Sequence, residues 1–186
     1  MSESNLRGRR FVIDRARCTG CATCLIACKD NADLDDGTDW IRIETLEEGI
    51  YPHVRVSFRV VHCFHCEQPA CVQACPTAAL AQNPAGWVTL DQALCIACGA
   101  CLDSCPFGAI ATDSEGHATK CDGCAAQVSA GAEPTCVRAC PMRALRLDSA
   151  DACPNRISDA TWDDAGMAPR VRYLVRSAPE LEVPDA

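Results

Sequence analysis

Cysteine placement constrains this 186-residue chain more than any other feature, because sixteen of its seventeen cysteines lie in four tight groups. In chain order the groups are Cys18, Cys21, Cys24 and Cys28; Cys63, Cys66, Cys71 and Cys75; Cys95, Cys98, Cys101 and Cys105; and Cys121, Cys124, Cys136 and Cys140. Three groups run directly into proline, at Cys75-Pro76, Cys105-Pro106 and Cys140-Pro141. The fold must bring these thiols to a common partner, and the spacing within the groups indicates which partner that is.

The first and third groups have the spacing C-x2-C-x2-C-x3-C, which is the bacterial ferredoxin run that holds a [4Fe–4S] cluster. In that run three sulfurs lie on one loop, and the fourth, next to proline, ligates the cluster of another group. The second group has four residues between Cys66 and Cys71, and the fourth has eleven between Cys124 and Cys136, so both are variants of the run. Four groups of four thiolates predict four [4Fe–4S] clusters, and several redox centres in a small chain predict electron transfer.

Two other thiol chemistries are possible. Zinc sites also use C-x2-C pairs, but usually as two pairs separated by a long stretch, whereas two groups here place three cysteines within seven residues. Disulfides are disfavoured in a reducing cytoplasm, and no signal peptide is expected because Arg9 and Arg10 precede only 11–13 before charge returns. No stretch approaches the ~20 apolar residues of a membrane span, so no direct membrane insertion is expected. A zinc-binding interaction protein remains a distant alternative.

Charge and composition limit the partners and the core. The net charge is −8, and clusters of charge −2 including their thiolates would bring the total to about −16, so nucleic acid is excluded as a partner. Four Phe, three Trp and two Tyr predict a thin apolar core. We expect folding to depend on metal, with an apo chain that is largely unfolded.

Short alternating segments surround the cysteine groups and predict hairpin strands separated by turns at 83–86 and 113–116. A brief helical turn is predicted at 125–128. The tail from Asp151 is acidic and contains proline, so we expect it to have no core of its own. The predicted strands are 11–14, 40–43, 54–60, 78–81, 87–90, 109–112, 117–119, 144–147 and 171–175.

Some residues near the groups have open roles. His62 and His65 flank Cys63, but cysteine fills every expected ligand position, so we do not expect them to contact iron. Cys153 has no neighbouring cysteine and is expected to be a free thiol. No catalytic triad, phosphate loop or paired carboxylate is visible, so a non-catalytic role is expected. Four basic residues adjoin ligand cysteines and either raise cluster potentials or are solvated: Lys29, Lys120, Arg138 and Arg143.

Three stretches resemble the iron–sulfur subunit of the dimethyl sulfoxide reductase family: 17–30, 62–71 and 120–124. The resemblance covers about residues 10–150, with all four groups in order. It implies an α+β fold of two ferredoxin-like lobes, related by a pseudo-twofold axis and built around four [4Fe–4S] clusters. Groups one and four would form one lobe of the domain 1–150, and groups two and three the other. Residues 151–186 would be a C-terminal extension that docks on a partner subunit, with the strand-like run 171–175 as a clamp.

The resemblance also implies which cysteines share a cluster. Cys28 departs most from the motif, because Lys29 stands where the other shared cysteines have proline. Some relatives replace one cysteine of the third group and hold a three-iron cluster, but all four are present here. The implied ligand sets are set A, Cys18, Cys21, Cys24 and Cys140; set B, Cys28, Cys121, Cys124 and Cys136; set C, Cys63, Cys66, Cys71 and Cys105; and set D, Cys75, Cys95, Cys98 and Cys101.

By the same resemblance, the chain relays electrons between a molybdopterin catalytic subunit and a membrane quinol subunit of an anaerobic respiratory enzyme. Set A would lie nearest the molybdopterin subunit and set D toward the quinol subunit. The chain would be membrane-associated through these partners, either on the cytoplasmic side or carried to the periplasmic side with a signal-bearing catalytic subunit. The alternative is a relay subunit of a hydrogenase or formate hydrogenlyase complex.

Overall fold

The computed structural model describes residues 7–149 and 165–175, which form short helices and strands. The strands fall where alternation predicts them, with bounds shifted by a few residues. The strands are β1 (Arg9–Asp14), β2 (Arg42–Glu48), β3 (Arg55–Val61), β4 (Leu80–Gln82), β5 (Val88–Leu90), β6 (Ala111–Thr112), β7 (Ala118–Thr119), β8 (Leu145–Ser149) and β9 (Val171–Leu174). The helices are α1 (Thr23–Asn31), α2 (Ala70–Ala74), α3 (Ala100–Ser104), α4 (Ala125–Ser129) and α5 (Thr135–Ala139).

One three-stranded sheet joins the two ends of the described chain. Its central strand is β1, which pairs antiparallel with β8 and parallel with β9. The other strands form three antiparallel hairpins, β2–β3, β4–β5 and β6–β7, of which the last two connect successive cysteine groups. Helix α1 packs against α5, and α2 packs against α3. The first cysteine group therefore lies beside the fourth, and the second beside the third.

A core of aromatic residues lies between the cysteine loops. Phe64 stacks at 4.5 Å from Phe107, and Phe11 lies 5.7 Å from Trp87, measured between ring centroids. All four side chains are buried. The core is more substantial than composition suggested, because the few aromatic residues are concentrated in one place.

The C-terminal segment 165–175 packs on this core. Glu67 N–H donates to the Ala168 carbonyl at 2.9 Å, and Tyr173 Oη donates to the Val60 carbonyl at 2.6 Å. This corrects the expectation that the strand-like run clamps a partner: β9 is a buried strand of the chain's own sheet. The remaining parts of the extension, 151–164 and 176–186, and with them Cys153, lie outside the described residues. Within the described residues, no helix has both the length and the apolar character to cross a bilayer.

Candidate iron–sulfur sites

Short helices position the third and fourth cysteine of each group. Cys71, Cys101 and Cys136 lie in α2, α3 and α5, and the cysteine that follows four residues later caps the helix. These capping cysteines are extended, with ψ between 106° and 113°, because the residue before proline disfavours helical backbone. In α1 no proline follows, so the helix continues for nine residues and includes both Cys24 and Cys28. This is the structural consequence of Lys29 at that position.

A repeated turn after each capping cysteine aims backbone N–H groups at sulfur. The third residue beyond the cysteine has left-handed backbone, as at Gly108 and Arg143, with φ of 53° and 51°. The next N–H then turns back: Ala109 N–H lies 3.5 Å from Cys105 Sγ, and Ala144 N–H lies 3.3 Å from Cys140 Sγ. Left-handed backbone costs about 1–2 kcal/mol at a non-glycine residue. Such N–H groups stabilise a thiolate sulfur and influence cluster potentials.

Two clefts bring together cysteines that are distant in sequence. Cys140 lines one cleft, of about 280 Å³, with the three cysteines Cys18, Cys21 and Cys24 of the first group. The other cleft, of about 370 Å³, is lined by Cys75 from the second group and by three cysteines of the third group, Cys95, Cys98 and Cys101. The residues around the two clefts are those of sets A and D. Cys21 and Cys98 are exposed in them.

The remaining cysteines interact in two buried sets. Burial, followed by repulsion from Cys124, raises the pKa of Cys28 to about 12, and the pKa of Cys136 rises for the same two reasons. Burial and then repulsion from Cys63 and Cys105 raise the pKa of Cys66 to about 12. These partners are the members of sets B and C. Nearby thiols thus come from different groups in both sets.

Comparison with known proteins gives these cysteines a family. Models of the 4Fe-4S dicluster domain match residues 10–76 and 54–150, which together include all sixteen grouped cysteines. The protein is 38% identical over 158 residues to the B subunit of anaerobic dimethyl sulfoxide reductase from Escherichia coli, a match that covers 80% of this sequence and 77% of that subunit. The chain belongs to the iron–sulfur subunits of the dimethyl sulfoxide reductase family.

Other relatives of this iron–sulfur subunit serve different enzymes. The thiosulfate reductase electron transfer subunit PhsB of Salmonella typhi is 35% identical over 142 residues, which is 74% of each protein. Protein NrfC of Escherichia coli is 34% identical over 163 residues, covering 83% of this chain and 72% of NrfC. The prediction of an electron-transfer subunit of a respiratory oxidoreductase is confirmed.

The thiols of this subunit fit iron–sulfur clusters chemically. A buried thiol whose pKa is raised stays protonated in water and becomes a thiolate only when it bonds to a cation such as cluster iron. Backbone N–H groups already face sulfur, and Gly123 N–H adds another, at 3.4 Å from Cys121 Sγ. Among the described residues, no three His, Cys, Asp or Glu side chains are arranged to hold one single metal ion.

Several residues of the iron–sulfur subunit differ in burial from what sequence position could indicate. His62 and His65 are each 1% exposed, and His65 stacks on Trp87 with centroids 4.4 Å apart. Burial lowers the pKa of His62 to about 4 and holds that of His65 well below its usual value, so both rings are neutral at pH 7. Only weak contact with the Val88 backbone reaches the His65 ring, which has no hydrogen bond of standard geometry.

The four basic residues beside ligand cysteines separate into distinct classes. Lys120 is buried, whereas Arg138 and Arg143 are exposed. Lys29 Nζ pairs with Asp39 at 3.1 Å and remains partly exposed. No sequence signal distinguishes Lys120 from the others, because its burial depends on strands brought together by the fold.

Proposed function

We propose that this chain holds four [4Fe–4S] clusters in sets A to D and passes electrons along them one at a time. The observation that carries the proposal is the lining of each cleft, where a capping cysteine of one group joins three cysteines of another. Each bound cluster would supply a one-electron couple between its 2+ and 1+ states. The chain's own residues bind the clusters, hold their spacing and exclude water from the central pair.

The proposed order is A, B, C, D, and contacts between neighbouring sets support it. Sets A and B share α1, where repulsion from Cys24 contributes to the raised pKa of Cys28. Sets B and C meet where Cys63 is the leading electrostatic influence on the buried Cys121. Sets C and D share α3, which carries Cys101 and is capped by Cys105. Electron transfer weakens steeply with distance, so a linear order divides a long path into short steps.

The two end sets are proposed to meet partner subunits. Their exposed cysteines have apolar neighbours: Met142 beside set A is 41% exposed and Ile96 beside set D is 62% exposed. We assign a molybdopterin catalytic subunit to set A and a membrane quinol subunit to set D, since the Escherichia coli relative is named as part of a reductase. The protein would then be held at a membrane through these partners, without catalysis of its own.

The domain organisation follows from the same proposal. Sets A and B form one ferredoxin-like lobe and sets C and D the other, related by a pseudo-twofold axis within residues 1–150. The packing of α1 on α5 and of α2 on α3 supports this pairing. Partner docking by the extension is now proposed for 151–164 and 176–186 alone, because 165–175 belongs to the core.

Anaerobic purification of the complex, with iron, sulfide, zinc and partner analysis, tests the function. Four cubanes require about sixteen iron and sixteen sulfide per chain. Matched Cys140→Ser and Cys153→Ser variants test ligand sharing: the first is expected to disturb the cluster of Cys18, Cys21 and Cys24, and the second none. Iron near eight, stoichiometric zinc, or a nickel–iron hydrogenase as the co-purifying subunit would contradict the proposal.

A further inference from the structure

Lys120 is a charged side chain enclosed by the protein. It is 3% exposed, and its ammonium donates to the Val88 carbonyl at 2.5 Å and to the Cys121 carbonyl at 2.9 Å. In the part of the chain that the structure describes, no carboxylate forms an ion pair with it. An ammonium in such a position is costly unless negative charge lies nearby.

The nearest candidates for that negative charge are the central cysteine sets. Lys120 immediately precedes Cys121 of set B and bonds to its carbonyl. Its charge also favours the thiolate of Cys71 in set C, lowering the pKa of that thiol against the effect of burial. The ammonium therefore lies where sets B and C approach each other. Four thiolates around an oxidised cluster leave a net charge of −2, which would compensate the buried ammonium.

We propose that Lys120 is a fixed positive charge that raises the reduction potential of the central clusters, above all that of set C. The inference rests on the proposed ligand sets. One electron from a neighbouring cluster takes [4Fe–4S]2+ to [4Fe–4S]1+, and the charge including thiolates goes from −2 to −3. No bond forms or breaks and no proton moves. A fixed cation stabilises the −3 state more than the −2 state, so the electron is held more favourably at the centre of the relay.

The other cations near the cysteines lack the properties this role needs. Lys29 also adjoins a ligand cysteine, but Asp39 pairs with it at 3.1 Å and water reaches both. Arg138 and Arg143 are exposed, where solvent and salt screen their charge. His65 is buried near Lys120 but neutral at pH 7. Lys120 alone among these described residues combines positive charge, burial and a position between two sets.

Redox titration of the full-length holoprotein, monitored by electron paramagnetic resonance, tests the proposal with Lys120→Met, which keeps the side chain's length and removes its charge. Lys29→Met is the matched control, and Cys71→Ser identifies the signal of set C. At the wild-type midpoint of that signal, Lys120→Met is expected to lower the reduced-to-oxidised ratio about tenfold, which is about 59 mV for a one-electron couple. Lys29→Met is expected to shift no centre comparably.

Each outcome decides the matter. An unchanged midpoint in Lys120→Met with full iron content, or an equal shift in Lys29→Met, overturns the proposal. If Lys120→Met loses iron, Lys120→Arg decides: retained clusters with a wild-type midpoint support a requirement for charge, whereas lost clusters or a lowered midpoint indicate a role in packing. Wild-type iron near eight per chain would instead overturn the four-cluster function, so the two failures are distinguishable.

Discussion

At the scale of single residues, protons compete with iron for the buried thiols. Burial, and then repulsion from Cys18, raises the pKa of Cys24 to about 11. Burial and repulsion from Cys63 and Cys105 raise that of Cys71 to about 12. Because thiolate is the ligand, each of these protons must leave when iron binds.

Iron binding is therefore expected to weaken as pH falls. A raised thiol pKa means that the protonated form prevails throughout the range from pH 9 to pH 6, so each step downward strengthens the competitor. Apparent affinity should fall about tenfold per pH unit for every thiol that loses its proton on binding. Equilibrium competition with a chelator of known affinity at each pH, under anaerobic conditions, measures this. An affinity that stays constant across the range would show that the thiols are already ionised.

Spacing alone identified all sixteen candidate ligands, since the third and fourth cysteines of a group must be separated by one helical turn. The surroundings of those ligands were not predictable. Lys120 and Lys29 have the same local sequence position, each beside a cysteine. What separates them is a long-range contact, from Lys120 to Val88 in one case and a local ion pair with Asp39 in the other.

At the scale of elements, the cysteine loops are fixed by contact with the aromatic core. Gly123, between Cys121 and Cys124, has left-handed backbone with φ of 69°. A Cβ added there would lie 2.5 Å from the ring of Trp87, which is 1% exposed and cannot move aside. The loop of set B therefore requires glycine for space as well as for conformation.

Gly123→Ala is expected to disrupt set B, because both the clash and the backbone strain act on a ligand loop. Gly99→Ala is the matched control, since Gly99 has a similar φ of 76° but nothing within 4 Å of an added Cβ. The control is expected to cost only about 1–2 kcal/mol of backbone strain and to retain its iron. Iron content and the low-temperature spectrum of each variant measure the difference. Equal iron in the two variants would mean that Trp87 does not restrain the loop.

The hairpins were predictable because alternation and turn residues are local signals. The helices α2, α3 and α5 were not identified from periodicity, since each is only five residues long. Their ends, in contrast, follow from sequence: proline after the capping cysteine stops them. The longer α1 follows from Lys29 in the same way.

At the scale of the whole molecule, the sheet β8–β1–β9 closes the structure. The side chains of Val171, Tyr173 and Leu174 are buried against it. Nothing in the strand-like run itself indicates which surface it covers, so its place in the chain's own core was not predictable from sequence. The core function of the aromatics was missed for the same reason, since composition counts residues and does not locate them.

Removing residues 165–186 is therefore expected to destabilise the holoprotein and lower its iron content. Each buried apolar side chain contributes about 1.5–3 kcal/mol, and domains are stable by only about 5–15 kcal/mol. Removing 176–186 alone, which leaves β9 in place, is the matched control and is expected to keep wild-type iron. Thermal unfolding under anaerobic conditions, with iron analysis, compares the two truncations. A full-iron, wild-type melting profile after the larger deletion would contradict the buried role of β9.

The pairing of β1 with β8 and β9 also bears on the timing of biogenesis. β1 emerges from the ribosome first, but both of its neighbours in the sheet emerge near the end of synthesis. Under the proposed ligand sets, C and D are complete once Cys105 has been made, whereas A and B wait for the fourth cysteine group. Cluster insertion should then proceed from the interior of the sequence outward, and a nascent chain halted after Cys105 would carry the two clusters of one lobe only.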